Sequence, residues 1–134
     1  MHDVPTVALL GLVVAATCAC SANPQRDDAE KRAQFRAYAG PPLDRFVYLQ
    51  HYTGWKRLGN GQVVLWTTIN DAYLMTITLP CVGLDFVTNL RLTSTQNMVT
   101  SGIDSVIVQG QACRISEIRH VDYERMKREL HVIP

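Results

Sequence analysis

Residues 55–66 read WKRLGNGQVVLW, with two apolar runs on either side of a turn signal. The pair Asn60-Gly61 supplies the positive φ angles that a tight β-hairpin turn needs. The stretch therefore predicts an antiparallel hairpin, the strongest local structural signal in the chain. Trp55 and Trp66 are expected to face each other, or to lie diagonally, across it.

Strand signals continue on both sides of this hairpin, where β-branched and aromatic residues recur with a period of two between turn residues. The predicted strands are residues 46–52, 55–58, 63–67, 73–79, 90–94, 98–100, 105–108 and 113–119. Leu84, Phe86 and Val87 are expected to fill the core from a loop or a short helical turn. The pattern predicts a mainly β (α+β) fold, either a small antiparallel β-barrel or a strongly curled sheet of about 6–8 short strands, because closure removes exposed strand edges.

Short helices are expected at both ends of this body. Residues 20–42 are polar and form a predicted tether, in which Asp27 and Glu30 have the spacing of a helix N-cap and its capping-box partner. The alternative is that this helix frays. Residues 122–130 place apolar side chains at helical spacing, which predicts an amphipathic helix that packs on the barrel or binds a partner.

The N-terminus has the pattern of a bacterial lipoprotein signal peptide, because the apolar residues 7–16 lead into Cys18 and Cys20. The run is too short to span a membrane, which needs about 20 apolar residues. Cys20 is the expected lipidation site because the small residue Ala19 precedes it, and Cys18 is the second choice. The expected positive charge is missing before the apolar run, so Met1 is a doubtful start. A plain secretory signal is the alternative.

These patterns predict a signal peptide over residues 1–19, the tether over residues 20–42 and one β-rich domain over residues 43–134. The expected location is the cell envelope, as a periplasm-facing lipoprotein held in the outer membrane by its palmitate anchor, or else as a soluble periplasmic or secreted protein. The net charge is +1, with 13 basic and 12 acidic residues, so nucleic acid is not an expected partner.

Two cysteines remain once the signal pair is set aside, namely Cys81 and Cys113. An oxidising envelope favours a structural disulfide between them. The competing interpretation is a metal site that combines the two thiols with His51 or His120. Zinc ligands normally come in closely spaced pairs, however, so no metal site is predicted.

Catalytic motifs are missing from the sequence. Ser105, His120 and Asp122 have the residue types of a nucleophilic triad, but no Gly-x-Ser-x-Gly elbow surrounds any serine. The carboxylates that acid–base chemistry would use are Asp85, Asp104, Glu117 and Asp122. Asp104 follows Gly102 and is expected to be a turn residue. No catalytic residue is assigned, and in the absence of nucleotide or calcium loops no cofactor is expected.

The aromatic residues are the other conspicuous feature, and packing in the core is their expected role. Tyr48, Tyr52, Trp55 and Tyr73 form a contact face for a protein or glycan if they emerge on an open side of the sheet, because aromatic side chains dominate binding interfaces.

Several segments carry a family resemblance. They are Trp55-Lys56-Arg57-Leu58, Val64-Leu65-Trp66-Thr67, Ala72-Tyr73-Leu74, Pro80-Cys81, Arg91-Leu92-Thr93-Ser94, Asp104-Ser105-Val106-Ile107-Val108 and Cys113-Arg114-Ile115-Ser116-Glu117-Ile118-Arg119. Through them residues 43–122 resemble an uncharacterised family of small exported proteobacterial proteins, domain-of-unknown-function family 6491. The resemblance implies a similar fold and location, and it implies no reaction.

The function predicted from these patterns is that of an envelope lipoprotein acting as a non-enzymatic binding or structural module, through its sheet face or terminal helix. The alternative is an inhibitor of an envelope-directed hydrolase. A third possibility is an enzyme with an unrecognised site, which would need several polar side chains converging in a pocket.

Overall fold

The computed structural model describes residues 24–131 of the chain. Cys18 and Cys20, the two candidate lipidation sites, lie outside the described residues. The elements in chain order are α1 (Pro24–Ala37), β1 (Ala39–Leu43), β2 (Arg45–Val47), β3 (Gly54–Gly59), β4 (Gln62–Trp66), β5 (Asp71–Ile77), a 3₁₀ turn (Leu84–Phe86), β6 (Arg91–Leu92), β7 (Met98–Thr100), β8 (Ser105–Val108), β9 (Gln111–Asp122) and α2 (Tyr123–Leu130).

The described strands build a curled antiparallel sheet, as predicted, with helices at both ends of the chain. Seven strands form this half-barrel in the order β3-β4-β5-β9-β8-β6, and β1 also pairs with β9. β9 is the central strand because β5 runs along one of its edges while β8 and β1 pair with successive parts of it. β2 and β7 form a separate two-stranded sheet.

The predicted hairpin is confirmed. Asn60 and Gly61 turn the chain with φ angles of 55° and 77°, and β3 pairs with β4 on either side. Of the two arrangements expected for the tryptophans, Trp55 and Trp66 do not face each other but occupy diagonal positions, one residue apart in the register. Trp55 lies opposite Leu65, and directly opposite residues share a face of a sheet, so Trp66 projects from the other face.

Both faces of the sheet are buried, and each has its own hydrophobic cluster. The first is held inside the curl and includes Val63, Leu65, Met75, Ile77 and Ile118, all at most 2% exposed. The second lies between the sheet and the two helices, and its members are Phe35, Leu58, Val64, Ala72, Leu74, Val121, Tyr123 and Met126. The strict alternation along β4 and β5 therefore divides their side chains between two cores.

Several predicted details differ from the structure. α1 already includes Pro24, so Asp27 lies within the helix and is not its N-cap. The strand predicted over residues 46–52 ends at Val47 as β2, and Gln50 interrupts the extended backbone with a φ of 66°. Phe86, expected in the core, is 82% exposed.

The predicted disulfide joins Cys81 to Cys113 and links the loop after β5 to β9. Both cysteines are buried in the first cluster. The C-terminal helix is also confirmed, with Asp122 as its N-cap through a hydrogen bond from the backbone N–H of Arg125 (3.3 Å). Within residues 24–131, neither helix combines the length and the apolar composition that crossing a bilayer requires.

Candidate functional site

An aromatic groove of about 430 Å³ opens where β3 begins and β4 ends. Its walls are Thr53, Gly54, Trp55, Lys56, Trp66, Ile69 and Tyr123. Gly54 pairs directly with Trp66, and since glycine has no side chain, the face of the sheet beside the Trp66 indole stays open. Ile69 is 71% exposed at the rim, so the groove presents an apolar side chain to solvent.

The floor of this groove is held by aromatic packing. The Trp66 ring makes edge-to-face contacts with Tyr123 (5.3 Å between centroids) and with Phe35 of α1 (6.0 Å). Phe35 stacks in turn on Tyr123 at 6.5 Å. Such pairs fix ring orientation as well as burying area, so the groove is preformed by the two helices.

A second hollow of about 500 Å³ lies beside Trp55, at the edge of β3 that pairs with no other described strand. It is lined by Trp55, Lys56, Arg57, Val87 and Thr88. β3 is an end strand of the sheet, and the Arg57 Nη1 donates to the Val87 carbonyl (3.0 Å) across this gap. Trp55 and Lys56 line both concavities and therefore separate them.

The ridge between the two concavities is cationic. The Arg57 guanidinium lies 5.7 Å from the Trp55 ring centroid, a cation–π distance. Neighbouring protein atoms displace water from the Lys56 ammonium group and, together with the nearby Lys31 side chain, lower the pKa of Lys56 from its usual value. The Asp28 carboxylate opposes this shift, so the ridge continues into a cluster of charges shared with α1.

The aromatic residues named from sequence do not form one contact face. Tyr48 is 5% exposed in the first cluster, where burial raises its pKa, so it has the core position expected of the aromatic residues and does not emerge on an open face. Tyr73 stacks on Phe46 at 4.3 Å and packs against the same cluster. Tyr52 exchanges hydrogen bonds with the Leu90 carbonyl (2.8 Å) and N–H (3.1 Å). Only Trp55 of the four lines the groove.

The residue types of a nucleophilic triad are not brought together. Ser105 pairs with Arg114 on β9, and His120 lies about 20 Å further along the same strand at about 3.4 Å per residue. The His120 Nε2 is instead 3.6 Å from the Asp71 carboxylate. Asp122 caps α2.

The remaining candidate carboxylates have structural partners or lie at the surface. Asp104 is buried and accepts hydrogen bonds from the Thr93 hydroxyl and the Thr100 N–H, both 2.8 Å, so it is more than a turn residue. Glu117 accepts a bidentate pair of hydrogen bonds from Arg119, which lower its pKa from the usual value. Asp85 is exposed.

Metal ligation finds no support in the part of the chain that the structure describes. Cys81 and Cys113 are bonded to each other, which removes both thiols as ligands. Among residues 24–131, no three His, Cys, Asp or Glu side chains converge in a way that would hold a metal ion. His51 is exposed in the loop after β2.

Sequence reasoning missed Trp66, Ile69 and Tyr123 as members of one surface. They come from β4, the following loop and α2, and only tertiary packing brings them together. The available signal was Gly54, because a glycine paired with a large aromatic residue marks an open position on a sheet.

Comparisons with known proteins identify a family and no characterised relative. No curated protein and no solved structure shows significant similarity to the chain. A family model described as "Family of unknown function (DUF6491)" matches residues 1–131, nearly the whole length. The chain therefore belongs to the DUF6491 family of unknown function.

Proposed function

We propose that this protein is a non-enzymatic binding module of the cell envelope, which holds an envelope protein through the aromatic groove beside β3. The observation that supports the proposal is the exposed Ile69 at the rim of a preformed groove of about 430 Å³ that both tryptophans help to line. Tryptophans in partly enclosed pockets are the residues that most often anchor a protein partner.

The charge of the ridge favours one kind of partner. Lys56 and Arg57 flank Trp55, and the outer edge of β3 has no strand beside it among residues 24–131. An extended segment with an apolar side chain and adjacent carboxylates would place the apolar group in the groove and the carboxylates on the ridge. Strand addition at a sheet edge is a common mode of peptide binding.

The envelope location rests on two features. Buried structural disulfides such as Cys81–Cys113 are typical of proteins that fold in oxidising compartments. The apolar run before Cys18 and Cys20 is typical of an export signal, and we place the lipid anchor on Cys20. A protein tethered to a membrane surface would present its groove to partners in the periplasm.

Site-specific crosslinking in the native envelope tests the proposal. A photo-crosslinking residue at Ile69, which is 71% exposed, is expected to capture a discrete protein. The matched control is Ile103, which is 68% exposed and does not line the groove. An identical set of adducts from both positions, or none from Ile69, would contradict the assignment, and glycan adducts from Ile69 would reassign the partner class.

The second candidate function, an inhibitor of an envelope-directed hydrolase, is favoured by Phe86. This side chain is 82% exposed on a 3₁₀ turn whose neighbour Leu84 is buried and which follows the disulfide-bonded Cys81. A rigid, protruding apolar group suits insertion into an enzyme cleft. Phe86→Ala should abolish inhibition of cell-wall hydrolysis if this function is correct, and unchanged hydrolysis with the wild-type protein present would eliminate it.

A further inference from the structure

A polar cavity of about 390 Å³ lies between α1 and the middle of the sheet, apart from the aromatic groove. The groups on its wall are two guanidiniums, two amides and two hydroxyls, from Arg32, Arg36, Asn60, Gln62, Thr76 and Ser116. None of these residues lines the groove, so the two sites can be tested independently.

The cavity wall carries a small excess of positive charge, from Arg32 and Arg36 against Glu117, although the Asp28 carboxylate lies near the Arg32 Nη1 beside Gly59. Its single carboxylate, Glu117, is already neutralised by the bidentate hydrogen bonds from Arg119 (2.8 and 3.2 Å). Arg32 uses its Nη1 to donate to the Leu58 carbonyl (2.7 Å), which fixes the guanidinium beside the cavity. Arg36 is exposed and makes no ion pair within 4 Å among the described residues, although its charge helps to lower the pKa of Glu117.

Gln62 is the second feature that indicates a ligand. Its side chain is part of the wall, the residue is only 7% exposed, and its Nε2 donates to the Thr76 hydroxyl (3.2 Å). Its Oε1 has no hydrogen-bond partner in the described part of the structure. Buried amides are almost always satisfied at both ends, because an unmade hydrogen bond destabilises the fold.

We propose that this cavity binds an acidic sugar unit, a ligand that combines a carboxylate with several hydroxyl or N–H donors. The carboxylate is paired by Arg32 and Arg36, which lie one helical turn apart on α1 and point to the same cavity. The hydroxyl or N–H donors satisfy the free end of the Gln62 amide after a small adjustment of that side chain. The volume of about 390 Å³ is within the range of small-molecule sites and is large enough for one monosaccharide.

Nuclear magnetic resonance titration of the whole protein with glucuronic acid tests the proposal. The side-chain amide signal of Gln62 is expected to shift with a dissociation constant on the order of 1 mM. Glucose, which lacks the carboxylate, and acetate, which lacks the hydroxyls, should each bind at least about tenfold more weakly. No shift of the Gln62 amide, or equal binding of acetate, would overturn the assignment to an acidic sugar.

Charge-matched variants separate this site from general attraction to a basic surface. Arg36→Gln should weaken glucuronic acid binding about tenfold, because a charge-assisted pair is lost. Arg128→Gln removes the same charge from the exposed side of α2 and should leave the affinity unchanged. Equal effects of the two substitutions would contradict a built site.

A third variant distinguishes a ligand-binding role of Gln62 from a structural one. Gln62→Met keeps the length of the side chain and removes the unsatisfied amide, so the melting temperature should stay the same or rise while binding falls at least about tenfold. A lower melting temperature with unchanged binding would show that Gln62 serves only to join β4 to β5. Intrinsic tryptophan fluorescence adds a separate control, because both tryptophans of the chain line the groove and neither lines this cavity.

Discussion

Gly61 occupies the position in the β3–β4 turn where a side chain would meet the backbone of the next strand. Its φ is 77°, and a Cβ added there would lie 2.9 Å from the Ile77 carbonyl oxygen, which cannot move without disturbing β5. Gly110 has nearly the same φ, 78°, but nothing lies within 4 Å of its added Cβ. Alanine substitutions at the two glycines therefore separate the free-energy cost of a positive φ from the free-energy cost of a steric clash.

We expect Gly61→Ala to lower the free energy of unfolding by about 2 to 4 kcal/mol, and Gly110→Ala by about 1 kcal/mol. The difference is the steric contact with the Ile77 carbonyl. Urea unfolding of both variants measures it. Equal losses would show that the β5 backbone gives way without cost.

Glu117 is expected to make the stability of the folded state depend on pH. The hydrogen bonds from Arg119 hold the pKa of Glu117 below the ordinary value of 4.5. A carboxyl group whose pKa is lowered by folding stabilises the folded state above its unfolded pKa, and this contribution is lost as the pH falls through the folded pKa. Melting temperatures of the wild type should therefore fall more steeply than those of Glu117→Gln below about pH 4.5. Asp85→Asn, which removes an exposed carboxylate, is the control. If the melting temperatures of Glu117→Gln and the wild type fell in parallel with pH, protonation of Glu117 would not be what lowers the stability.

Individual site residues were only partly predictable. Cys81 and Cys113 were paired correctly because no other partners remained for them in the domain. Asp104 was assigned to a turn, whereas the structure buries it among Thr93 and Thr100. No local sequence pattern singled out Arg36 and Gln62, because they line one cavity only after α1 has docked on the sheet.

Among the elements, α1 packs on the sheet through Phe35, its one buried side chain over residues 26–37, and Arg32 adds a hydrogen bond to the Leu58 carbonyl. Phe35 is 5% exposed and packs against Trp66 and Tyr123 in the second cluster. Phe35→Ala should reduce the free energy of unfolding by about 3 to 4 kcal/mol and shift the tryptophan emission, because Trp66 loses a packing partner. Phe86→Ala removes the same side chain from a position that is 82% exposed and should change stability by less than about 0.5 kcal/mol. An unchanged emission spectrum for Phe35→Ala would show that Phe35 does not hold α1 against Trp66.

Elements with complete local signals were predicted well, and the others were not. The hairpin at Asn60-Gly61 and the helix capped by Asp122 each carry their turn or cap within a few residues. β2 was predicted too long because nothing local in the apolar alternation reveals the positive φ of Gln50. The relation of Trp55 to Trp66 depends on the register of the hairpin, and a shift of one residue reverses every face.

The disulfide limits how far the unfolded chain can expand. Cys81 and Cys113 are 32 residues apart, and closing a loop of this length stabilises the folded state by about 3 to 4 kcal/mol on the chain-entropy estimate. The double variant Cys81→Ala/Cys113→Ala should lose about this amount in guanidinium unfolding. Wild-type protein measured with a reducing agent provides the matched control, and equal stability in both redox states would disprove the contribution.

Attachment to a membrane concerns the molecule as a whole. We expect Cys20→Ser to move the protein from the membrane fraction to the soluble fraction, because the proposed acyl anchor is lost. Cys18→Ser, two residues away, should leave it in the membrane fraction. Continued membrane retention of the Cys20→Ser protein would refute lipidation at that cysteine.

β9 spans twelve residues and is the common partner of β1, β5 and β8. A ribosome makes the chain from its N-terminus, so all three strands are made before β9, the strand with which they pair. β1 is the first of them to be made. β3, β4 and β5 pair with one another through short connections, but the full sheet cannot form until β9 has been made, since its pairings with β1 and β5 join distant parts of the chain. Such a delay fits the export that we propose for this chain, in which it would thread through a secretion channel before it folds.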